Sequence, residues 1–365
     1  MNLFLAATPL HFFNTCELIC GSFSREQNGI IVTSDLIQEY LPILELLTEE
    51  GYDITLYDYH YLNSNGCNLI PKMFLKKIIL EKILKSQPKL DGLENESVDK
   101  IVVYTPNAFS MYLRTLFPKA SVVFGEDGIG TYTGSTYERI FYLDNANNRE
   151  NSFKKKVLGK INKLIFAEGL SHSPKEVLLH FPTLNCCEQP CPIKKISRNK
   201  HWKKLFYKYL EANKIFYGDD DYRQYDGVFL GRPADSPSEI EITDALLWAV
   251  EKCNLRIAYR KHPREKSTFR SNDLGMWELR CAEEITDSSI IISAFSTASI
   301  IPKIYYNSEP FLIFFYPILE KEFGKKIKNA NMLIRKIRMI YSDQTKVIVV
   351  TSIDELMSYL VKLIK

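Results

Sequence analysis

The sequence lacks most of the features that identify a membrane, secreted or metal-binding protein. No apolar run approaches the roughly 18 to 20 residues of a membrane-spanning helix, and residues 3–7 are too short an apolar stretch for a signal-peptide core. The 8 cysteines lack the paired spacing of a zinc site, and the chain has no phosphate-binding loop, GxSxG or HExxH motif. We therefore expect a cytoplasmic protein without a bound metal.

Strong charge of one sign is also missing. With 47 basic and 44 acidic side chains the net charge is +3, which is too small to predict a nucleic-acid partner. Residues 71–85 are rich in lysine and place apolar residues at helical spacing. Such a helix either packs on a core or lies on an anionic membrane, so peripheral contact with the inner face of the cell membrane is an alternative to a purely cytoplasmic location.

The order of the predicted elements indicates two domains. At 365 residues the chain exceeds the usual size of one hydrophobic core. Predicted strands alternate with helices at 2–7, 29–32, 52–57, 100–104 and 120–124, and again at 225–230, 255–259, 290–293, 310–315 and 346–350. This alternation predicts parallel sheets covered by helices on both faces. We predict an α/β fold with two Rossmann-like, doubly wound domains, 1–150 and 223–365, facing a central cleft and joined by a helical and loop connection, 151–222; this arrangement resembles the GT-B architecture.

An acidic run follows the predicted strand 120–124. Ligands of open parallel sheets bind beyond the carboxyl ends of the strands, where Glu126, Asp127 and Gly128 lie. Because glycine permits a tight turn, a neighbouring carboxylate can approach an acceptor hydroxyl and act as a general base. An acidic turn without a function has the same composition. Thr8 and His11, after the first strand, are further candidates for acceptor contact.

A second polar run combines cations with an imidazole. His262 follows the strand 255–259 and is flanked by Lys261, Pro263 and Arg264. An imidazole in this setting can protonate a departing phosphate, and the cations would attract one. A solvated surface turn explains the same residues. Gly231 and Arg232, after the strand 225–230, are placed to contact the same charges.

A third run supplies hydroxyl groups where a strand ends and a helix is predicted to begin. Its candidate residues are Ser293, Ser296 and Thr297. The hydroxyls and the free N–H groups of a helix start can bind an anion. Simple helix capping accounts for them equally well.

Taken in order, these motifs resemble those of bacterial sialyltransferases, and the similarity is closest to glycosyltransferase family 52. The matching residues are Glu126-Asp127-Gly128, His262-Pro263 and Ser296-Thr297. The resemblance implies inverting transfer of sialic acid from CMP-sialic acid to a galactoside-type acceptor of a bacterial surface glycan, lipooligosaccharide or capsule. It implies acceptor binding by 1–150, nucleotide-sugar binding by 223–365, and a homodimer without a metal or a cofactor other than the donor.

The same resemblance implies roles for individual residues. Either Glu126 or Asp127 would deprotonate the acceptor, and His262 would assist the leaving phosphate. Ser296 and Thr297 would bind that phosphate. Two other functions stay open: a GT-B glycosyltransferase or polyol-phosphate transferase with a different nucleotide donor, and a non-enzymatic peripheral membrane protein that uses residues 71–85.

Overall fold

The computed structural model describes two compact units. The described residues are 1–33, 40–58, 93, 96–105, 110, 113–114, 116–134, 174–187, 191–197, 201–205, 208, 221–232, 237–262, 265, 277–319 and 326–364. One unit comprises Met1–Pro182 with Cys187–Tyr209, and the other comprises Thr183–Cys186 with Leu210–Lys365. The basic segment 71–85 lies outside the described residues. Within the described ranges, no helix is long and apolar enough to cross a membrane.

The first unit is built on a seven-stranded parallel sheet. Its strands are β1 (Asn2–Ala6), β2 (Asn28–Val32), β3 (Ile54–Asp58), β4 (Lys100–Val103), β5 (Ser121–Phe124), β6 (Glu176–Leu179) and β7 (Ile193–Lys195). Their order in the sheet is β3-β2-β1-β4-β5-β6-β7. The order therefore reverses between β1 and β4, and such a switch point is where open parallel sheets leave a crevice for ligands.

Three described helices of this unit are α1 (Pro9–Cys20), α2 (Pro42–Glu49) and α3 (Ile129–Thr133). Helix α1 begins directly after β1 because Thr8 caps it and Pro9 occupies its first turn. Every residue from His11 to Cys20 is buried. A helix buried on all sides carries its polar side chains into the protein interior, where they need partners.

The boundary of the first unit differs from the sequence-based prediction. Strands β6 and β7 belong to its sheet, although both fall in the segment 151–222 that we predicted to be a connection. These strands have only 4 and 3 residues. Strand β7 has no continuous apolar run, since two of its residues are exposed lysines, and β6 lies where the alternation of strands and helices is lost along the chain.

The second unit has a five-stranded parallel sheet with the order β12-β11-β10-β8-β9. The strands are β8 (Gly227–Leu230), β9 (Ile257–Arg260), β10 (Ile290–Ser293), β11 (Phe311–Phe314) and β12 (Val347–Val349). Its described helices are α4 (Pro237–Lys252), α5 (Trp277–Glu284), α6 (Thr297–Ile301), α7 (Lys326–Ile340) and α8 (Ile353–Ile364). The five residues after α6, Pro302–Tyr306, form a π-helical turn.

The core of the second unit lies between this sheet and helices α4 and α8. It includes Phe229, Leu246, Ile292, Ile313 and Leu356, all of which are buried. The strand order switches between β8 and β10. Gly231 and Ser293, at the carboxyl ends of these two strands, therefore lie at the second switch point.

Candidate functional site

Asp127 is a fixed carboxylate that remains accessible. It follows β5, and its side chain is 28% exposed. Its Oδ1 lies 2.7 Å from Nε2 of His11, and its Oδ2 accepts a hydrogen bond from Oγ1 of Thr105 at 2.8 Å. Its main-chain N–H donates to Oγ1 of Thr131 at 2.8 Å. These partners come from the ends of β1, β4 and β5, so the switch point holds the carboxylate in one orientation.

His11 lies behind Asp127 and is only 2% exposed. Its ring stacks on Tyr104, with 4.8 Å between the ring centroids and an interplanar angle of 13°. Its Nδ1 accepts from the main-chain N–H of Ala7 at 3.3 Å. Since Nδ1 accepts this hydrogen bond, Nε2 carries the ring proton and donates a hydrogen bond to Oδ1 of Asp127. We predicted acceptor contact for His11, but its burial assigns it to orienting Asp127, because α1 starts immediately after β1 and turns this ring inward.

The other two predicted acceptor residues shape the backbone. Oγ1 of Thr8 accepts from the main-chain N–H of His11 at 3.2 Å and so caps α1. Gly128 is buried with φ 70° and ψ −142°, a conformation open to glycine because it has no Cβ. Its carbonyl accepts the main-chain N–H of Thr131 at 3.0 Å. Thr8 therefore fixes the start of α1, and Gly128 fixes the turn between Asp127 and α3.

Glu126, next to Asp127, has the opposite environment. It is fully buried, and its Oε2 accepts from Oη of Tyr132 at 2.7 Å and from the main-chain N–H of His180 at 2.9 Å. The same oxygen lies 2.9 Å from Nδ1 of His180. Asn14 also donates to its main-chain carbonyl at 2.9 Å. The two adjacent acids therefore differ in access: Asp127 faces solvent, and Glu126 does not.

His180 connects Glu126 to two further buried charges. Its Nε2 lies 2.6 Å from Oε2 of Glu17, whose Oε1 lies 3.5 Å from Nζ of Lys203. Burial alone would lower the pKa of His180, but the neighbouring carboxylates of Glu126 and Glu17 outweigh it and raise the pKa to about 9. Sequence reasoning missed this group because His180 follows the short strand β6 and Glu17 and Lys203 look like ordinary helix residues.

In the second unit, Gly231 and Arg232 are engaged by protein groups. Gly231 donates its main-chain N–H to the carbonyl of Arg260 at 2.8 Å. A Cβ at this position would overlap Oε2 of Glu265 and lie 2.9 Å from Oη of Tyr259. Arg232 forms an ion pair with Glu239 of α4, and its side chain is 19% exposed. Close packing therefore explains Gly231, and the charge of Arg232 is compensated by Glu239.

The loop that carries His262 is held by a buried carboxylate. Glu265 is 7% exposed, and its Oε2 accepts from the main-chain N–H of His262 at 3.1 Å. Its own N–H donates to the carbonyl of His262 at 2.8 Å. Its Oε1 accepts from Oη of Tyr259 at 2.5 Å. Lys261 and His262 are partly exposed, and Pro263 and Arg264 lie outside the described residues.

The hydroxyl run has mixed roles. Ser296 caps α6 because its Oγ accepts from the main-chain N–H of Ala298 at 3.3 Å. Ser299 donates to the carbonyl of Ser296 at 2.5 Å. Thr297 is partly exposed. Ser293 is 1% exposed, and its Oγ has no hydrogen-bond partner among the described residues. An orphan buried hydroxyl is uncommon and costs free energy unless a ligand or water satisfies it.

Comparison with known proteins identifies the fold. No protein-family model matches the sequence, and no curated protein matches it. A solved structure described as the glycotransferase of kitacinnamycin is 9% identical, with 99% of this chain and 90% of that chain covered and a TM-score of 0.53. The chain has the GT-B fold. At this identity, the likeness shows the fold alone.

Other GT-B structures match with lower scores. An α/β-galactoside α-2,3-sialyltransferase from the luminous marine bacterium Photobacterium phosphoreum is 12% identical, with 97% of this chain and 98% of that chain covered and a TM-score of 0.46. UGT89C1 of Arabidopsis thaliana, complexed with UDP-L-rhamnose, is 11% identical, with coverages of 99% and 89% and a TM-score of 0.49.

Each half of this GT-B chain brings its own predicted residues together. Asp127 and His11 meet in the first unit. Gly231, His262 and Ser293 follow neighbouring strands of the second. Within the described parts of both units, no group of three His, Cys, Asp or Glu side chains is arranged to hold a metal ion.

Proposed function

We propose that this chain is an inverting sialyltransferase that moves sialic acid from CMP-sialic acid to a hydroxyl of a galactoside-type acceptor of a bacterial surface glycan. The observation that carries the proposal is the Asp127 site, an accessible carboxylate anchored by His11 and Thr105 at a sheet switch point. The order of the three motifs along the chain supports it. The name of the kitacinnamycin enzyme, which shares the fold, supports glycosyl transfer in general.

The environments of the two acids favour Asp127 as the base. A general base must come within about 2.6–3.2 Å of the hydroxyl that it deprotonates. Glu126 is fully buried, whereas Asp127 is partly exposed. Oxygen of the acceptor would attack the anomeric carbon as Asp127 takes its proton, and the bond from that carbon to the CMP oxygen would break on the opposite face. This sequence of events inverts the configuration.

The residues of the second unit suit the departing CMP. The leaving phosphate gains one negative charge, which N–H and O–H donors and a nearby cation can stabilise without a metal. We assign His262 to proton donation, and Lys261 with Arg264 to electrostatic attraction. Ser293, whose buried hydroxyl is an orphan among the described residues, and the Ser296–Thr297 pair would donate hydrogen bonds.

A nucleotide panel tests the donor class. Purified protein is heated with CMP, UDP, GDP or CDP, and we expect CMP to raise the melting temperature most. A ligand at a hundred times its Kd stabilises by about 2.7 kcal/mol, which is a measurable shift. Release of CMP on mixing CMP-sialic acid with a galactoside, unaffected by EDTA, would then establish the reaction. Protection by UDP or CDP but not by CMP would favour a different GT-B glycosyltransferase or a polyol-phosphate transferase.

Assembly and location are separate proposals. We propose that the protein is a homodimer, which light scattering of the purified chain would test. We also propose that it is located in the cytoplasm. Binding to anionic liposomes without binding to any nucleotide would instead favour the non-enzymatic peripheral membrane protein.

A further inference from the structure

A line of alternating buried charges ends beside the proposed base. It runs from Lys203 to Glu17, His180 and Glu126, with separations of 3.5, 2.6 and 2.9 Å between the charged atoms. None of these side chains is more than 9% exposed. Because two cations alternate with two anions, each charge has an opposite neighbour, which is the condition for burying charge without a large penalty.

The line joins separate elements of the first unit. Glu17 lies on α1, Glu126 follows β5, His180 follows β6, and Lys203 lies in the helical residues 201–205. Tyr132 of α3 contacts the line through its hydrogen bond to Glu126, and the titratable side chains of Tyr104 and Cys20 lie close enough to Glu17 to interact with its charge. Removing one member would therefore disturb contacts made by several elements.

Glu126 depends strongly on His180. Its Oε2 meets both the main-chain N–H and the ring Nδ1 of His180. Its Oε1 is buried and has no hydrogen-bond partner among the described residues. A half-satisfied buried carboxylate is costly, and an adjacent imidazolium offsets part of that cost. Since Glu126 immediately precedes Asp127, its fixed position also fixes the backbone that carries Asp127.

We propose that His180, together with Glu17 and Lys203, positions the base: an imidazolium between two carboxylates locks Glu126 and so sets the orientation of Asp127 and the charge around it. The inference rests on the proposed role of Asp127 and makes Glu126 a positioning residue. The raised pKa of His180, about 9, keeps the imidazolium through neutral pH. Helix α1 serves both acids, because it also carries His11, the hydrogen-bond partner of Asp127.

Two charge-removing variants test this idea through the pH profile of kcat/KM. Glu126→Gln removes an anion near Asp127, so the acidic limb should move to lower pH. Lys203→Gln removes a cation, so that limb should move to higher pH, by a smaller amount because Lys203 is farther along the line. We expect each limb to move by about one pH unit or less, since one unit corresponds to about 1.4 kcal/mol of charge interaction. A purely structural role would lower activity without opposite shifts.

Lys194→Gln is the matched control. Lys194 lies on β7 in the same unit, its side chain is 63% exposed, and its partner Glu176 is outside the line. Its substitution removes the same charge as Lys203→Gln and should leave the acidic limb in place. Glu126→Gln should lower kcat by about tenfold or less, because the base is still present.

A substrate-free measurement separates this inference from the proposed function. Histidine ring resonances of the ¹⁵N-labelled protein should show His180 protonated at pH 7.5, with its titration moving to lower pH in Glu126→Gln. A neutral His180 at pH 7.5 would overturn the inference whatever the donor is. The inference would also be overturned if the wild-type enzyme is active but the acidic limb of the pH profile stays in place in both variants. A fall in kcat of about a thousandfold in Glu126→Gln would overturn it as well. Absence of CMP release by the wild-type chain would instead overturn the proposed function.

Discussion

Replacing Asp127 by Asn changes the proposed base with little change of shape. The amide oxygen of Asn can still accept from Nε2–H of His11, which lies 2.7 Å from Oδ1 in the wild type. The amide N–H₂ would face Oγ1 of Thr105, a hydroxyl that can accept as well as donate. The main-chain hydrogen bond to Thr131 is unaffected. We therefore expect the Asp127→Asn protein to fold normally.

The expected loss of activity follows from the chemistry. An amide cannot take up the acceptor proton, and general base catalysis contributes about 10²- to 10⁴-fold. We expect kcat to fall by about 10³-fold, which corresponds to about 4 kcal/mol of transition-state stabilisation. CMP affinity should stay the same, because the residues proposed to bind CMP belong to the second unit.

The assay is CMP release from CMP-sialic acid in the presence of a galactoside. The CMP-induced rise in melting temperature, measured on the same sample, shows that the variant is folded and binds the nucleotide. Asp53→Asn serves as a matched control, because Asp53 is an exposed carboxylate of the same unit, just before β3. A folded Asp127→Asn enzyme with kcat within about threefold of wild type would refute the assignment of Asp127 as the base.

Three further outcomes are expected. His262→Ala should lower kcat by about a hundredfold and reduce the CMP-induced thermal shift, because the imidazole is proposed to contact the phosphate that leaves with CMP; normal turnover would contradict this role. Gly231→Ala should lower the free energy of unfolding in urea by about 1–3 kcal/mol, because the new Cβ would overlap Glu265. An unchanged urea midpoint would show that Glu265 moves aside. Because the pKa of His180 rises on folding from 6.5 to about 9, its stabilisation is complete below pH 6.5 and disappears as the pH rises through 9. Melting temperatures between pH 6 and 10 should show this decline, and a flat profile over that range would argue against the buried imidazolium.

Most strands could be predicted because their signals are local. The predicted strand 290–293 coincides with β10, Ile290–Ser293, and the apolar residues of 353–364 recur at helical spacing along α8, Ile353–Ile364. Fully buried parallel strands have continuous apolar runs, and an amphipathic helix has a periodic one. Strand β7 lacks such a run because two of its residues are exposed lysines, and β6, although apolar, lies where the alternation of strands and helices is lost along the chain.

The candidate site was predictable in outline only. The acidic run was identifiable because an acid pair followed by glycine after a strand is a recognisable pattern. The sequence did not show which of the two acids is accessible, because the side chains of adjacent loop residues have no regular orientation relative to the core. The same limit applies to Gly231, whose role follows from its contact with Glu265, a residue 34 positions away along the chain.

The amino-acid sequence alone determined that the chain alternates strands and helices in two halves, and where its polar runs follow the strands, because these features depend on neighbouring residues. Only the tertiary structure decided that His11 is the partner of Asp127, that His180 is the partner of Glu126, and that Asp127 is partly exposed while Glu126 is buried. Those pairings join residues more than 50 positions apart. Their energies depend on burial and distance, which the chain acquires when the sheet brings the ends of its strands together.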